Sequence, residues 1–198
     1  GWLRMPQGHR VVGPVYARLP GELPEFLADL AAGPQPLVYF AMGSSGNRDL
    51  VLHVLAGLGR ADCQVLAPVR SHLRQEDLET LPRNVHVTDW IPAHQLGNAV
   101  DLAITHGGEG TVQTSCVQGW PFIGIPLQFE QRFNVQRCVA FGSARLVSQR
   151  EARRTDWAEL VRQALADDGM RSRARRMAGL MEGLDGPGRA AEAICELL

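Results

Sequence analysis

The sequence predicts an α/β domain: a doubly wound, Rossmann-like parallel sheet carrying a helical C-terminal tail. Short apolar runs recur from residue 37 to residue 147, helix-like segments lie between most of them, and the last third holds helical patterns only. Mostly apolar runs joined by crossover helices imply parallel strands covered on both faces.

The runs are Leu37–Met42, Gln64–Pro68, Val85–Thr88, Leu102–Thr105, Phe122–Pro126 and Ala144–Val147. The connecting helical segments are Asp49–Gly59, Ala93–Ala99, Thr111–Gln118 and Glu130–Phe141. The tail reads as helices over Asp156–Asp168, Met170–Leu184 and Pro187–Leu198, with breaks at Gly169 and Gly186-Pro187. Before the first run, several prolines mark a lead-in segment, residues 1–35. Within it Val11–Val15 reads as a short strand and Glu22–Ala31 as a short helix.

With 198 residues, 45% of them hydrophobic and 21% charged, the chain has the make-up of one globular domain. Twenty basic and twenty-one acidic residues leave a net charge of -1, which argues against a nucleic-acid partner that needs a basic face. The arginines of Arg171 to Arg176 read as the solvated face of a tail helix. Cys63, Cys116, Cys138 and Cys195 form no CxxC pair and are expected as buried, reduced thiols. No secretory signal or membrane-length apolar stretch is visible, so the expectation is a cytoplasmic protein without stable membrane insertion. The chain opens on Gly1 with no initiator Met, which reads as a fragment of a longer chain.

Four loops follow predicted strands and therefore share one sheet edge, where such sheets bind ligands. The most informative is Thr105-His106-Gly107-Gly108-Glu109-Gly110-Thr111. Glycines at a strand-to-helix turn admit a ligand close to the backbone. The amides and dipole of the first helical turn then attract an anion, and a histidine adds a switchable donor. Phosphate is the expected guest. Ser44 and Ser45, in Gly43-Ser44-Ser45-Gly46-Asn47, supply hydroxyls for a phosphate, or the stretch is a plain turn with Asn47 as N-cap. Trp90 offers a face on which a base stacks, or plugs the core. Glu130 and Gln131, with Asn134 one turn on, suit the vicinal hydroxyls of a sugar, or simply start a helix. Taken together the four loops describe a nucleotide-sugar site. Neither GxGxxG nor GxxxxGK[ST] occurs, which removes the main support for dinucleotide and P-loop readings.

From about Val12 onward the chain resembles the C-terminal, donor-binding half of family 1 GT-B glycosyltransferases, close to bacterial natural-product enzymes. The resemblance rests on "VGPVYARLPGELPEFL", "LVYFAMGSSGN", "DWIPAHQL", "DLAITHGGEGT" and "GWPFIGIPLQFEQRFNVQRC". It implies that residues 1–35 are a linker from a missing N-terminal domain and that residues 36–198 bind the donor. It also implies a nucleobase on Trp90, a diphosphate at Ser44 or Ser45 and at His106, Gly107, Gly108, Gly110 and Thr111, and sugar hydroxyls on Glu130 and Gln131. The implied chemistry is metal-independent, inverting transfer from a UDP- or dTDP-sugar, with no cofactor or metal ligand in this chain.

Three positions depart from the family pattern. Ala93 stands where a Gln follows W-x-P, Glu130 replaces Asp, and Thr114 replaces a Glu that grips both ribose hydroxyls. The last makes a deoxyribose donor, a dTDP-sugar, more plausible. The resemblance places the acceptor site and general base in an absent N-terminal half, so no catalytic residue is expected here and the fragment alone is expected to be inactive. His9, His53 and His94 read as structural or exposed. The alternatives are a half-enzyme completed by a separate acceptor-binding chain, and a non-catalytic nucleotide-sugar binding module.

Overall fold

The computed structural model describes residues 8–15 and 18–196. Six strands form its centre: β1 (Leu37–Ala41), β2 (Gln64–Ala67), β3 (Val85–Val87), β4 (Leu102–Thr105), β5 (Phe122–Gly124) and β6 (Ala144–Leu146). Their order is β3-β2-β1-β4-β5-β6, and all neighbours pair in parallel. Around them, among the described residues, lie α1 (Leu27–Ala32), α2 (Arg48–Leu58), α3 (Gln75–Leu78), α4 (Glu109–Gln118) and α5 (Phe129–Phe141). The tail adds α6 (Gln149–Ala152), α7 (Trp157–Leu165), α8 (Asp168–Met181) and α9 (Gly186–Cys195). The doubly wound parallel sheet with a helical tail is the architecture that the sequence predicts.

β1 shows why its run is apolar throughout. Alternate residues point to opposite sides of a strand. Val38 and Phe40 join the layer of α2 and α7, while Leu37, Tyr39 and Ala41 join the layer of α4 and α5. Both sides are dry, so neither register position is polar. In the first layer Trp157, fully buried, sits against Gly57, where a methyl group would fall 2.8 Å from its Cβ. Its indole Nε1 donates to Ala152 O at 3.0 Å. Burying a side chain of this size stabilises the fold by roughly 1.5–3 kcal/mol, and here it joins the tail to the sheet.

Helix starts follow side-chain caps. Asn47 accepts from Leu50 N, Ser148 from Glu151 N, Asp167 from Met170 N and Asp185 from Gly188 N. The cap at Asp167 places Gly169 inside α8, so Gly169 is not the break expected from the sequence.

Other expectations need correction. Val11–Val15 is not a strand: Gly13 takes φ +107 and Pro14 has no amide to pair, and the segment runs against Leu184 and Gly186. The lead-in helix is Leu27–Ala32, displaced from Glu22–Ala31. Ala93–Ala99 is two 3-10 turns, Ala93–Gln95 and Gly97–Ala99. Cys195 is exposed, whereas Cys63, Cys116 and Cys138 are buried. Arg171 pairs with Asp168 on the tail's surface, as a solvated face requires. Residues 1–7, Tyr16, Ala17 and the last two residues of Pro187–Leu198 lie outside the described residues. Among the described residues, no helix is long and apolar enough to cross a membrane.

Candidate functional site

The strand order reverses beside β1: α2 leads outward to β2, while the chain returns to the other flank as β4. A parallel sheet opens a crevice at such a point, outside the carboxyl ends of the strands. A cleft of about 260 Å³ lies there. Gly43, Gly110, Thr111 and Thr114 line it together with Trp90, Tyr39 and Ala41.

Trp90 is 59% exposed, so the core reading of this residue fails. Its ring is braced from behind, since a methyl group on Gly21 would lie 3.0 Å from Cζ3. The first turn of α4 also lines the cleft. Its N-cap is Gly108, which has no side chain to offer the opening amides, and Gly110 beside it meets no heavy atom within 4 Å of a would-be Cβ. Open amides at a positive dipole end, with free space before them, suit an anion. Thr114 is nearly buried and its Oγ1 donates to Gly110 O at 2.8 Å, so no carboxylate reaches the cleft from this position.

His106 stands behind Gly43 and is only 7% exposed. A methyl group on Gly43 would lie 2.6 Å from its Cε1, and one on Gly108 would overlap Nε2. Gly43 (φ +53) and Gly107 (φ +85) hold left-handed backbone that glycine adopts without strain. Gly43 and Gly108 therefore let two backbone segments approach one imidazole closely. Burial pushes the His106 pKa below the usual imidazole range; the Ala41 carbonyl and Glu130 oppose this, and His72 adds to it.

Gln131 is 3% exposed. Its Oε1 accepts from Leu127 N and Gln128 N, and its Nε2 donates to Ser45 Oγ at 3.1 Å. Glu130 is exposed and bonds Asn134, whose amide also reaches Gly107 O. Glu130 and Asn134 border a separate depression of about 490 Å³ between α4, α5 and α8. The structure thus gathers Trp90, Gly110, Thr111 and Thr114 in one cleft, while His106, Gly107 and Gly108 are not among its lining residues; His106 lies against Gly43, which does line it. Ser45 and Gln131 form a bridge, and Ser44 lies exposed beside it. Among the described residues, no group of three or more His, Cys, Asp or Glu side chains could hold a metal ion.

Sequence reasoning missed several neighbours. His94, read as structural or exposed, lines the cleft with Pro68 and Ile91. Its position just after Trp90-Ile91-Pro92 was the available signal. His72, on the 3-10 turn Arg70–His72, approaches Gly43 O with Nε2 at 2.6 Å. Nothing in the pattern around it marks it.

Known proteins resemble this chain in sequence and in fold. The 4'-demethylrebeccamycin synthase of Lentzea aerocolonigenes is 31% identical over 183 residues, covering 87% of this chain and 41% of that protein. A PGL/p-HBAD biosynthesis rhamnosyltransferase of Mycobacterium bovis is 28% identical over 174 residues, covering 88% and 38%. The chain spans about two-fifths of the length of these curated relatives. Among solved structures, the spinosyn rhamnosyltransferase complexed with thymidine diphosphate superposes with a TM-score of 0.80 at 20% identity, over 98% of this chain and 53% of that one. The calicheamicin glycosyltransferase gives a TM-score of 0.75 at 24% identity, over 92% and 45%. These likenesses show a common fold. Residues 52–197 match the family model described as "Erythromycin biosynthesis protein CIII-like, C-terminal domain". The chain belongs to that family, the C-terminal domain of family 1 GT-B glycosyltransferases.

Proposed function

We propose that this domain binds the nucleoside-diphosphate-sugar donor of a metal-independent, inverting glycosyltransferase, and that a dTDP-sugar is the preferred donor. The observation that carries the reading is the cleft itself, which is lined by a half-exposed indole and by the open first turn of α4. The base stacks on Trp90 and the diphosphate lies against Gly110 and Thr111, with His106, Gly107 and Gly108 behind it. Ser44 and Ser45 close the diphosphate side, and Glu130 and Gln131 take the sugar hydroxyls.

In transfer, negative charge grows on the leaving diphosphate. The dipole and amides of α4 offset that charge, and so does His106. The imidazole pKa is held below its usual range by burial, and an anion bound beside the ring would raise that pKa. Its role is therefore to hold charge on the leaving group, and the proton of the acceptor goes elsewhere.

Thr114 supports the deoxyribose preference. Its hydroxyl bonds within α4 and presents no acceptor to a 2′-hydroxyl. Two solved glycosyltransferases of similar fold, each complexed with thymidine diphosphate, hold a deoxyribonucleotide of this kind. Completion of transfer requires an acceptor-binding domain, either in the same chain or in a separate one. Calorimetry with dTDP, UDP and GDP tests the reading: dTDP is expected to bind best, and Thr114→Glu is expected to raise UDP affinity relative to dTDP. Much tighter binding of UDP by the unmodified chain would overturn the preference, and sugar transfer by the 198-residue chain alone would overturn the need for a second domain.

A further inference from the structure

The turn Gly43-Ser44-Ser45-Gly46 is held from three directions. Gln131 reaches Ser45 from α5, and His106 lies against Gly43 from the end of β4. The third contact comes from the β2 side. His72 Nε2 lies 2.6 Å from Gly43 O, and since a carbonyl only accepts, Nε2 carries the hydrogen. The same ring reaches the other end of the turn, for a methyl group on Gly46 would fall 3.2 Å from both its Cε1 and its Nε2.

The element carrying His72 is stiff. Val69 and Leu73, on either side of the 3-10 turn, are buried. Arg70 N donates to Thr88 O at 3.1 Å, and the Arg70 guanidinium reaches Leu73 O at 3.1 Å. A side chain on such an element fixes what it touches.

We propose that His72 is a positioning residue for diphosphate binding: by donating to Gly43 O it sets the Gly43–Gly46 turn so that Ser44 and Ser45 face the ligand. The inference rests on the donor-site reading above and adds a residue outside the loops that carry the family pattern. His72 touches the turn and acts on the diphosphate through it.

The test compares dTDP affinity by calorimetry for the unmodified domain, His72→Ala and His72→Gln, each also in a Ser44→Ala/Ser45→Ala background, with melting temperatures as the folding control. Loss of one such hydrogen bond should weaken dTDP binding by roughly three- to tenfold in His72→Ala. His72→Gln, whose amide nitrogen stands in for Nε2, should recover most of the loss. In the serine-free background removal of His72 should cost less than about twofold, because coupled residues are not additive. Equal affinity for His72→Ala and the unmodified domain overturns the inference, as does an undiminished loss without the serines or a failure of Gln to rescue. If His72→Ala does not fold, the comparison of His72→Gln with His72→Phe decides on the same criteria. Absence of dTDP binding by the unmodified domain would instead overturn the donor-site reading itself.

Discussion

Gln131 Nε2 donates to Ser45 Oγ at 3.1 Å, joining the start of α5 to the turn after β1 across 86 residues of sequence. The same side chain accepts from Leu127 N and Gln128 N and is almost wholly buried. An amide nitrogen has two hydrogens, and Ser45 takes one. Gln131→Ala is therefore expected to lower both stability and dTDP affinity. The loss of both hydrogen bonds, made to the half-buried Leu127 amide and the exposed Gln128 amide, costs about 1 kcal/mol. A melting temperature unchanged from the parent would contradict this.

Gly110→Ala should separate binding from folding. The added methyl meets nothing in the protein, and alanine favours a helix over glycine by roughly 0.5–1 kcal/mol. The melting temperature should hold or rise while dTDP affinity falls, since the methyl enters the space assigned to the diphosphate. Unchanged affinity would move the ligand away from this turn. Gly108→Ala should instead destabilise, because its methyl overlaps His106 Nε2.

Trp90→Ala is expected to leave folding nearly intact and to weaken nucleotide binding by about 1–3 kcal/mol, the range for base–aromatic stacking. Quenching of indole fluorescence on titration with dTDP should disappear in the same variant. Persistence of the full quenching signal would assign the base elsewhere.

Two desolvated histidines, buried His106 and half-buried His86, set an acid limit on stability. Desolvation lowers the pKa of both His106 and His86 from the ordinary 6.5. The unfolded chain then takes up protons that the folded one resists, so stability is full above pH 6.5 and declines as pH falls below it. Urea midpoints between pH 8 and pH 5 should follow this course, more weakly in His106→Gln. On the proposed binding mode the dTDP diphosphate should raise the His106 pKa, so binding near neutral pH should take up protons. Calorimetry in buffers of different ionisation heat should show an uptake that His106→Gln reduces, alongside a loss of affinity.

Thiol reactivity should sort by exposure. Cys195 is exposed and should react with a disulfide reagent at once in the native protein. Cys63, pushed up to about 11 by burial, should wait for unfolding, as should the buried Cys116 and Cys138. Rapid modification of more than one thiol would show that the described core opens readily.

The sheet was legible because its strands are dry on both sides: Leu37–Ala41 can be nothing but apolar, and the runs stand out from their surroundings. The loops were legible because glycine, serine and histidine cluster at the ends of those runs. α3 and the turn holding His72 were not, since elements of three or four residues show no period. Trp90 was ambiguous because an indole after a strand more often plugs a core than offers a stacking face, and its exposure removes the core reading. Gln131 reads alike as a ligand group and as an internal cap. The exposure of Cys195 depends on which face of α9 meets the protein, and a short amphipathic stretch does not announce that.

The strand order has a practical consequence. To pass from the outer strand β3 to the parallel strand β4, residues 88–101 must run from the carboxyl edge of the sheet along one face to its amino edge, and the first part of this crossover carries Trp90, Ile91, Ala93 and His94. Both ends are pinned: Thr88 N bonds Ala67 O, and Asp101 bonds Leu37 through both its amide and its carboxylate. What lies between is a cassette with fixed attachment points. Ile91, Leu96 and Val100 of this stretch pack into the core, so an exchange for the matching stretch of a relative that keeps these three would change the proposed nucleobase wall while the sheet keeps its packing.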